Sequence, residues 1–136
     1  MTAPESAHVS TVRAYLAALE AGESGESLAR FFARDGIQVE LPNRLNPRGG
    51  RSDLATLLER SQQGRKVLSR QTYEVRNAVA QGERVAVEAL WTGVLAVPLD
   101  ALRAGDSMTA HFAMFFEFAG DKIALQRNYD CFEPWS

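Results

Sequence analysis

The second part of the chain alternates between apolar and polar residues with a period of two, and this pattern restricts the fold more than any other feature. The alternation begins at Val67 and predicts four strands, over residues 67–80, 84–97, 107–118 and 122–132. Strands of this length in a small domain must twist and bend. The sheet that they form therefore has a concave side, which can enclose a pocket.

The first part of the chain carries helical patterns instead. Thr2-Ala-Pro-Glu5 has the form of a capping box and predicts a helix that runs to about Glu20. A second, short helix is predicted over residues 26–33, and Asp35-Gly36 is a turn signal after it. Two helices therefore precede the first strand.

A strand and a third helix complete the pattern. Ile37-Gln-Val-Glu-Leu41 alternates and predicts a strand that stops at Pro42. Ser52 or Asp53 is the predicted cap of a helix that runs through about Gln62 and ends at Gly64. Three helices followed by long antiparallel strands predict the α+β class, with the helices on one face of the sheet.

Composition narrows the classes of function. The chain has 136 residues, of which 46% are apolar, and this predicts one domain over residues 1–136 with a real core. A formal net charge of -2 gives no reason to expect nucleic acid or an anionic membrane as a partner. No apolar run is long enough to span a membrane.

Cysteine and histidine usage is sparse. Cys131 is the one cysteine, so no intrachain disulfide can form, and we expect a reducing, cytoplasmic location. One Cys and two His cannot assemble a closed structural zinc site, and no glycine-rich phosphate loop follows a strand. We therefore expect no metal and no cofactor.

Several segments resemble those of a known superfamily. Residues 13–22, RAYLAALEAG, resemble the first helix of ketosteroid isomerases, and residues 31–36, FFARDG, resemble their second helix and turn. Gly50-Arg51 fits the lead into the third helix. The ending, FAGDKI at 118–123 and RNYD at 127–130, is most similar to the SnoaL-like branch of the nuclear transport factor 2-like superfamily.

The resemblance covers nearly the whole chain and implies a specific architecture. It implies the cone-shaped nuclear transport factor 2-like (cystatin-like) fold, in which three N-terminal helices pack on a strongly curved antiparallel sheet around one pocket. It also implies that alternate residues of the last strands face inward, and that His111 and Glu117 face outward. The ligand pocket implied in this way comprises Phe32, Leu58, Trp91, Met114, Phe116, Gln126 and Asn128.

Two known chemistries of this superfamily do not fit the sequence. A ketosteroid isomerase needs a carboxylate base and two donors for the dienolate oxygen. Tyr15 matches one donor, but Leu41 holds the position of the base, and Met114 lies where the second donor is expected. Limonene epoxide hydrolases use an Arg and two Asp, and the matching positions here hold Trp91, Gly93 and Asn128. The resemblance therefore excludes both activities.

A third chemistry leaves candidates. Polyketide cyclases of the SnoaL type need an acidic residue near the last strand to remove an activated C–H proton, and Asp130 is in that region. Burial would raise the pKa of this carboxyl and make it a better base near neutral pH. Asp130 and Tyr15 are thus the candidate catalytic residues, although each can instead have a structural role.

Two classes of function remain open. The first is a pocket protein for a small apolar or aromatic molecule, with isomerase-like or cyclase-like proton transfer. The second is a non-catalytic ligand-binding or protein-interaction module that uses the outer face of the sheet. Leu90, Phe115 and Tyr129 are expected on that convex face, and they predict a homodimer through it.

Three further expectations concern single positions or segments. His8 is expected at the surface, and Cys131 as a packed, inert thiol. The segment Pro98–Asp106 joins two strands by more residues than a tight hairpin needs, and we expect it to be the most mobile part apart from the termini.

Overall fold

A computed structural model describes residues 1–135 and shows two α-helices, one 3₁₀ helix and six strands. In chain order these are α1 (Ala3–Glu20), the 3₁₀ helix (Gly25–Phe31), β1 (Phe32–Glu40), β2 (Gly50–Asp53), α2 (Leu54–Val67), β3 (Leu68–Gln81), β4 (Arg84–Leu95), β5 (Ser107–Ala119) and β6 (Lys122–Phe132). The sheet order is β2-β1-β6-β5-β4-β3. The α+β class with three helices packed on one sheet is confirmed.

The sheet is mixed, because one of its strand pairs is parallel. β1 runs parallel to β6, whereas the other neighbouring strands pair antiparallel. The first strand therefore returns beside the last one, and residues of β1 stand level with residues of β6. This pairing brings side chains from distant parts of the sequence to the same wall of the concave face.

The capping box at the start of α1 is present as predicted. The Glu5 amide donates to Thr2 Oγ1 at 3.2 Å, and the Thr2 amide donates to Glu5 Oε1 at 2.7 Å. These two bonds satisfy amides that have no partner inside the helix. The apolar face of α1, with Val12 and Leu16 almost fully buried, then packs into the core.

Helix α2 is longer than predicted. Asp53 caps it, as one of the two predicted alternatives, and accepts a hydrogen bond from the Thr56 amide at 2.9 Å. Gly64 does not end the helix, which continues to Val67. A glycine inside a helix costs only about 1 kcal/mol relative to alanine, and the neighbouring contacts of α2 outweigh that cost.

The elements around β1 also differ from the prediction. The second helix is a 3₁₀ helix that ends at Phe31, and β1 begins at Phe32 rather than at Ile37. Asp35-Gly36, predicted as a turn, lies within β1, where the register with β6 shifts between Phe32 and Ile37. A bulge of this kind absorbs turn-forming residues without ending the strand. β2 has only four residues and was too short to be predicted from a period-two pattern.

The inward and outward faces of β4 and β5 agree with the expected alternation. Every second residue from Phe112 to Phe118 is buried, and so are Val87, Ala89 and Trp91 on the neighbouring strand. His111 is exposed on the opposite face, where it contacts Glu133 at 2.9 Å. The concave face therefore packs on the helices, and the convex face does not.

Two single-residue expectations were wrong. His8 is buried, because its ring stacks on Phe118 with 4.2 Å between centroids, and its Nε2 lies 3.1 Å from the Gly120 carbonyl. Cys131 is exposed rather than packed, because it alternates with Asp130 and faces outward.

The segment Pro98–Asp106 is held by its own hydrogen bonds. The amides of Leu99 and Leu102 each donate to the carbonyl of the other, at 3.0 and 2.9 Å. The Gly105 amide donates to the Leu95 carbonyl at 2.8 Å. Its relative mobility stays a prediction, to be measured by amide exchange. Within residues 1–135, no helix combines the length and apolar character needed to cross a bilayer.

Candidate functional site

Two neighbouring cavities lie between the helices and the concave face of the sheet. The first, of about 370 Å³, is lined by Asp130, Trp91, Phe112 and Phe132 among others, and we call it the Asp130 cavity. The second, of about 220 Å³, is lined by Tyr15, Met114 and Gln126 among others, and we call it the Tyr15 cavity. The two cavities share four lining residues, which are Gln38, Arg60, Tyr73 and Asn128.

Side chains of β6 and β1 form a continuous row of hydrogen bonds that ends at Asp130. Gln126, Asn128 and Asp130 occupy alternate positions of β6 and so share a face, and Gln38 stands level with Gln126 in the parallel pair. Gln38 Nε2 lies 3.1 Å from Gln126 Oε1. Gln126 Nε2 lies 2.7 Å from Asn128 Oδ1, and Asn128 Nδ2 lies 3.3 Å from Asp130 Oδ1. We call these four residues the polar ladder.

Asp130 has few partners for a carboxyl group in a cavity wall. Its side chain accepts one hydrogen bond, from Asn128, within the described part of the chain. Burial raises the pKa of Asp130 to about 6, the Asn128 bond opposes this rise, and the charge of Glu40 adds to it. A carboxylate with such a pKa can accept a proton near neutral pH, which an ordinary surface aspartate does poorly.

A second carboxylate, Glu40, lies in the same wall, but unlike Asp130 it has several hydrogen-bond donors around it. Arg60 Nη2 is 2.7 Å from Glu40 Oε1, and Asn43 Nδ2 is 2.7 Å from Oε2. Asn46 adds a longer bond of 3.4 Å. Burial alone would raise the pKa of Glu40, but these three donors outweigh it and hold the pKa below its ordinary value. One cavity thus holds a paired, ionised carboxylate and a sparsely bonded one, a contrast typical of acid–base sites.

The remaining wall of the Asp130 cavity is aromatic. Trp91 stacks on Phe112 with 5.4 Å between centroids and an angle of 11°. Phe132 meets the Trp91 ring edge-on at 5.9 Å. Trp91 Nε1 donates to Gln71 Oε1 at 2.9 Å, which fixes the plane of the indole. A flat apolar wall facing a few polar groups suits an aromatic or alicyclic ligand.

The phenol groups of Tyr73 and Tyr15 both keep their protons. Burial raises the pKa of Tyr15. Burial likewise raises the pKa of Tyr73, and nearby Tyr15 and Asp130 add to this rise. The Tyr73 hydroxyl donates to Gln71 Oε1 at a long 3.3 Å. Both tyrosines are therefore hydrogen-bond donors rather than bases.

Aromatic and charged residues meet beside the Asp130 cavity. The Arg44 guanidinium lies 3.7 Å from the centre of the Trp135 ring and 3.3 Å from Asp100 Oδ2. Trp135 packs edge-on against Phe132, with 6.0 Å between centroids. The residues after β6 are thus tied to two loops at the edge of the cavity.

The structure divides the predicted site residues between two cavities instead of one. Trp91 and Asp130 line the Asp130 cavity, Tyr15, Met114 and Gln126 line the Tyr15 cavity, and Asn128 lines both. Tyr15 and Asp130 therefore line neighbouring cavities that share four lining residues, and one ligand site that includes both residues stays a prediction. Tyr73 lines both cavities, and both Tyr15 and Asp130 are near enough to contribute to the rise in its pKa.

Three predicted pocket residues are core residues in the structure. Phe32, Leu58 and Phe116 line neither cavity and are at most 9% exposed. Phe32 packs edge-on against Tyr15, with 5.2 Å between centroids, and Phe116 does so at 6.5 Å. Both phenylalanines therefore belong to the aromatic packing around Tyr15 rather than to the walls of the two cavities.

Sequence reasoning missed five polar residues of the site, which are Gln38, Glu40, Arg60, Gln71 and Tyr73. The alternation in Ile37-Gln-Val-Glu-Leu41 contained a usable signal, because Gln38 and Glu40 share a face. That face would have been recognised as inward only with the knowledge that β1 lies beside β6. Arg60 gave no signal of its own, because an arginine in a predicted helix is usually solvated.

Metal-binding side chains are not clustered in the part of the chain that the structure describes. Among residues 1–135 no group of three or more His, Cys, Asp or Glu side chains is arranged to hold a metal ion.

Comparison with known proteins identifies similar domains. The family model described as a SnoaL-like domain matches residues 12–126. A comparison with curated proteins finds no significant match. The matching segment includes β1, α2 and two of the four ladder residues, Gln38 and Gln126.

Solved structures agree in fold at low sequence identity. AclR from Streptomyces galilaeus, provisionally described as a hydroxylase, superposes with a TM-score of 0.78 at 14% identity, covering 96% of this chain and 82% of its own. IdmH from Streptomyces antibioticus, provisionally described as a polyketide cyclase, gives 0.75 at 16% identity, covering 90% and 91%. A protein of Xanthomonas campestris pv. campestris with the same provisional description gives 0.74 at 21% identity, covering 93% and 92%. At these identities the likeness establishes the shared fold.

Proposed function

The chain belongs to the SnoaL-like domain family, and we propose that it binds a small apolar or aromatic molecule in the Asp130 cavity and transfers a proton on it. The observation that carries the proposal is the state of Asp130, whose pKa is raised to about 6 in a wall beside stacked aromatic rings. Similar structures provisionally described as polyketide cyclases support the same class of chemistry. Fold alone does not fix the reaction, so the residues must carry the argument.

The proposed step is the removal of a proton next to a carbonyl group. The free oxygen of the Asp130 carboxylate takes the proton from carbon, and the C–H electron pair moves into the ligand as an enolate. Asp130 then holds the proton as a neutral acid. It returns the proton either to another carbon, which gives an isomer, or to the alkoxide formed when the enolate carbon attacks a second carbonyl, which gives a ring.

Tyr73 is the proposed donor to the enolate oxygen. It lies on the wall shared by both cavities, and burial keeps its phenol protonated. Its bond to Gln71 is 3.3 Å long and can be exchanged for a shorter one to an oxyanion. Tyr15 is the corresponding donor for a ligand that extends into the Tyr15 cavity.

Glu40 is not the proposed base. Its carboxylate is held by Arg60 at 2.7 Å and by two asparagine side chains, so protonation would break a charged pair. Its negative charge contributes instead by raising the pKa of Asp130. The two carboxylates therefore have different roles in one cavity.

We test the proposal with 2-tetralone, an aromatic ketone with weakly acidic C–H bonds next to its carbonyl. In D₂O, proton NMR follows the replacement of these protons by deuterium. We expect the protein to accelerate the exchange, and Asp130→Asn to lose ~10²- to 10⁴-fold of the acceleration, the usual contribution of a general base. The variant should still bind 2-tetralone, because Asn keeps the size and shape of the side chain.

Asp121→Asn is the matched control, since Asp121 is an exposed aspartate in the turn between β5 and β6. It should exchange 2-tetralone at the wild-type rate. Equal rates in the wild type and Asp130→Asn would show that Asp130 is not the base.

One observation favours a second function, a non-catalytic ligand-binding module. The Trp91 indole and the Tyr73 hydroxyl both donate to Gln71 Oε1, so a ligand would have to compete with Gln71 for either donor. Binding of 2-tetralone without exchange would support this module.

We also propose that the protein acts in the cytoplasm, for which the exposed thiol of Cys131 is the supporting observation.

A further inference from the structure

The hydrogen bonds of the polar ladder all run in one donor-to-acceptor direction, and the carboxylate of Asp130 fixes that direction. An ionised Asp130 can only accept hydrogen bonds, so Asn128 must present its NH₂ group to it. Asn128 Oδ1 then faces Gln126, which must in turn present its NH₂ group at 2.7 Å. Gln126 Oε1 is left to accept from Gln38 Nε2 at 3.1 Å. The carboxylate thus determines the orientation of three amide groups, which geometry alone leaves ambiguous.

The consequence appears at the far end of the ladder, at Gln38. With its NH₂ group turned to Gln126, the side chain turns its carbonyl oxygen the other way. Within the described part of the chain, Gln38 Oε1 accepts no hydrogen bond, and Gln38 lines both cavities. The residue is only half-buried, so a ligand in either cavity can reach its side chain. An amide oxygen without a partner in a ligand site favours a ligand that donates to it.

We propose that Gln38 is a specificity-determining residue whose side-chain oxygen accepts a hydrogen bond from a hydroxyl group of the ligand. The ligand class is then a hydroxylated aromatic or alicyclic molecule, with its ring on the Trp91 and Phe112 wall. The inference deepens the proposed function and rests on it for the place of binding. It adds that the ionised Asp130, acting through Asn128 and Gln126, keeps Gln38 in its accepting orientation.

The test uses two probes that differ only in a donor. 2-Naphthol carries a hydroxyl group, and 2-methoxynaphthalene carries an oxygen at the same place without the proton. Affinities are measured by calorimetry at about pH 8, where a carboxyl with a pKa near 6 is ionised. We expect the wild type to prefer 2-naphthol by about two- to tenfold, the usual value of one hydrogen bond.

Two variants separate Gln38 from other acceptors. Gln38→Met keeps the length of the side chain but removes the oxygen, and should abolish the preference. Gln63→Met, on the exposed surface of α2, should leave it unchanged. Asp130→Asn can donate to Asn128 and so allows the ladder to reverse, which would turn the Gln38 NH₂ group to the cavity. The preference should then shift towards 2-methoxynaphthalene.

The outcomes distinguish this inference from the proposed function. Equal affinity of the wild type for both probes would overturn the role of Gln38, and so would a preference for 2-naphthol that survives in Gln38→Met. Either result leaves proton exchange on 2-tetralone intact if Asp130 is the base. Absence of binding to both probes together with absence of exchange would overturn both proposals. Thermal melts of each variant check that its fold is retained.

Discussion

At the scale of single residues, Asp130 links the stability of the protein to the chemistry of its cavity. Among residues 1–135 its carboxylate accepts one side-chain bond, from Asn128, so little offsets the loss of hydration. Burial therefore disfavours the ionised carboxylate in the folded protein relative to the unfolded chain. It raises the pKa of Asp130 to about 6. The same feature that makes Asp130 a usable base makes its charge unfavourable for folding.

This linkage predicts a pH dependence that belongs to Asp130. Between the unfolded pKa of about 3.9 and the folded value of about 6, the folded state binds more protons than the unfolded state. Protonated Asp130 thus makes its full contribution to the free energy of unfolding below about pH 4. This contribution is lost as the pH rises through 6. Across this window the free energy of unfolding of the wild type should therefore fall by about 1–3 kcal/mol relative to that of Asp130→Asn. This range allows for the partial exposure of the side chain.

Urea unfolding of both proteins at several pH values between about 4 and 7 measures this difference. Asp121→Asn, at an exposed position, should track the wild type throughout. A constant difference between wild type and Asp130→Asn would show that Asp130 does not have a raised pKa in the folded protein.

Sequence reasoning reached Asp130, but not the residues that determine its state. The alternation along β6 was enough to place Asn128 and Asp130 on one face. Glu40, which raises the pKa of Asp130, lies 90 positions earlier in the chain and comes close only through the parallel pairing of β1 with β6. No local pattern carries the information that these two strands are neighbours.

At the scale of elements, the long strands were predictable and β1 was not. Buried and less buried residues alternate without interruption along β4 and β5, which gives a clear period of two. Along the last part of β1 all residues from Ile37 to Glu40 are half-buried, because both faces of that strand are partly covered. Such a strand has no clean polar face, so its inward residues could not be chosen from hydrophobicity.

Within β4, Gly93 determines how Trp91 packs. A Cβ atom on Gly93 would overlap the indole ring of Trp91 and would come within 3.0 Å of Leu68 Cδ2. Gly93→Ala should therefore displace the indole, break its 2.9 Å bond to Gln71 and destabilise the protein by about 1–3 kcal/mol, as overpacking usually does. Near-UV circular dichroism and urea unfolding measure the two effects.

Gly64 in α2 provides the control for this substitution. Nothing lies within 4 Å of a Cβ atom built on it, and its backbone is helical. Gly64→Ala should therefore stabilise the protein by about 0.5–1 kcal/mol. If Gly93→Ala proved as well tolerated as Gly64→Ala, Trp91 would not be packed closely against Gly93.

At the scale of the whole molecule, the curved sheet separates two surfaces with different chemistry. Its concave face, together with the helices, encloses the two cavities and the polar ladder. Its convex face carries apolar side chains that no helix covers. The fold class was predictable because it follows from the order and length of elements, whereas the walls of the two cavities combine side chains from β1, α2 and β3 that no local pattern brings together.

The convex face leads to the prediction of a homodimer. Phe115 is 38% exposed and Tyr129 is 42% exposed, and their rings meet edge-on with 5.7 Å between centroids. Arg127 lies beside them, 5.8 Å from the Phe115 ring and 3.1 Å from Glu117 Oε2. Aromatic residues with arginine at the centre and paired charges at the margin are typical of protein interfaces.

Such a surface pairs most simply with a second copy of itself across a twofold axis. Light scattering should therefore give twice the mass of one chain at micromolar concentration. Phe115→Lys should yield a monomer with an unchanged far-UV spectrum, because symmetry brings the introduced charges close together in the interface. Val97→Lys, at an apolar position that is 41% exposed in the loop after β4, should remain dimeric. A wild-type protein that stays monomeric at high micromolar concentration would contradict the prediction, and the apolar convex face would then need another occupant.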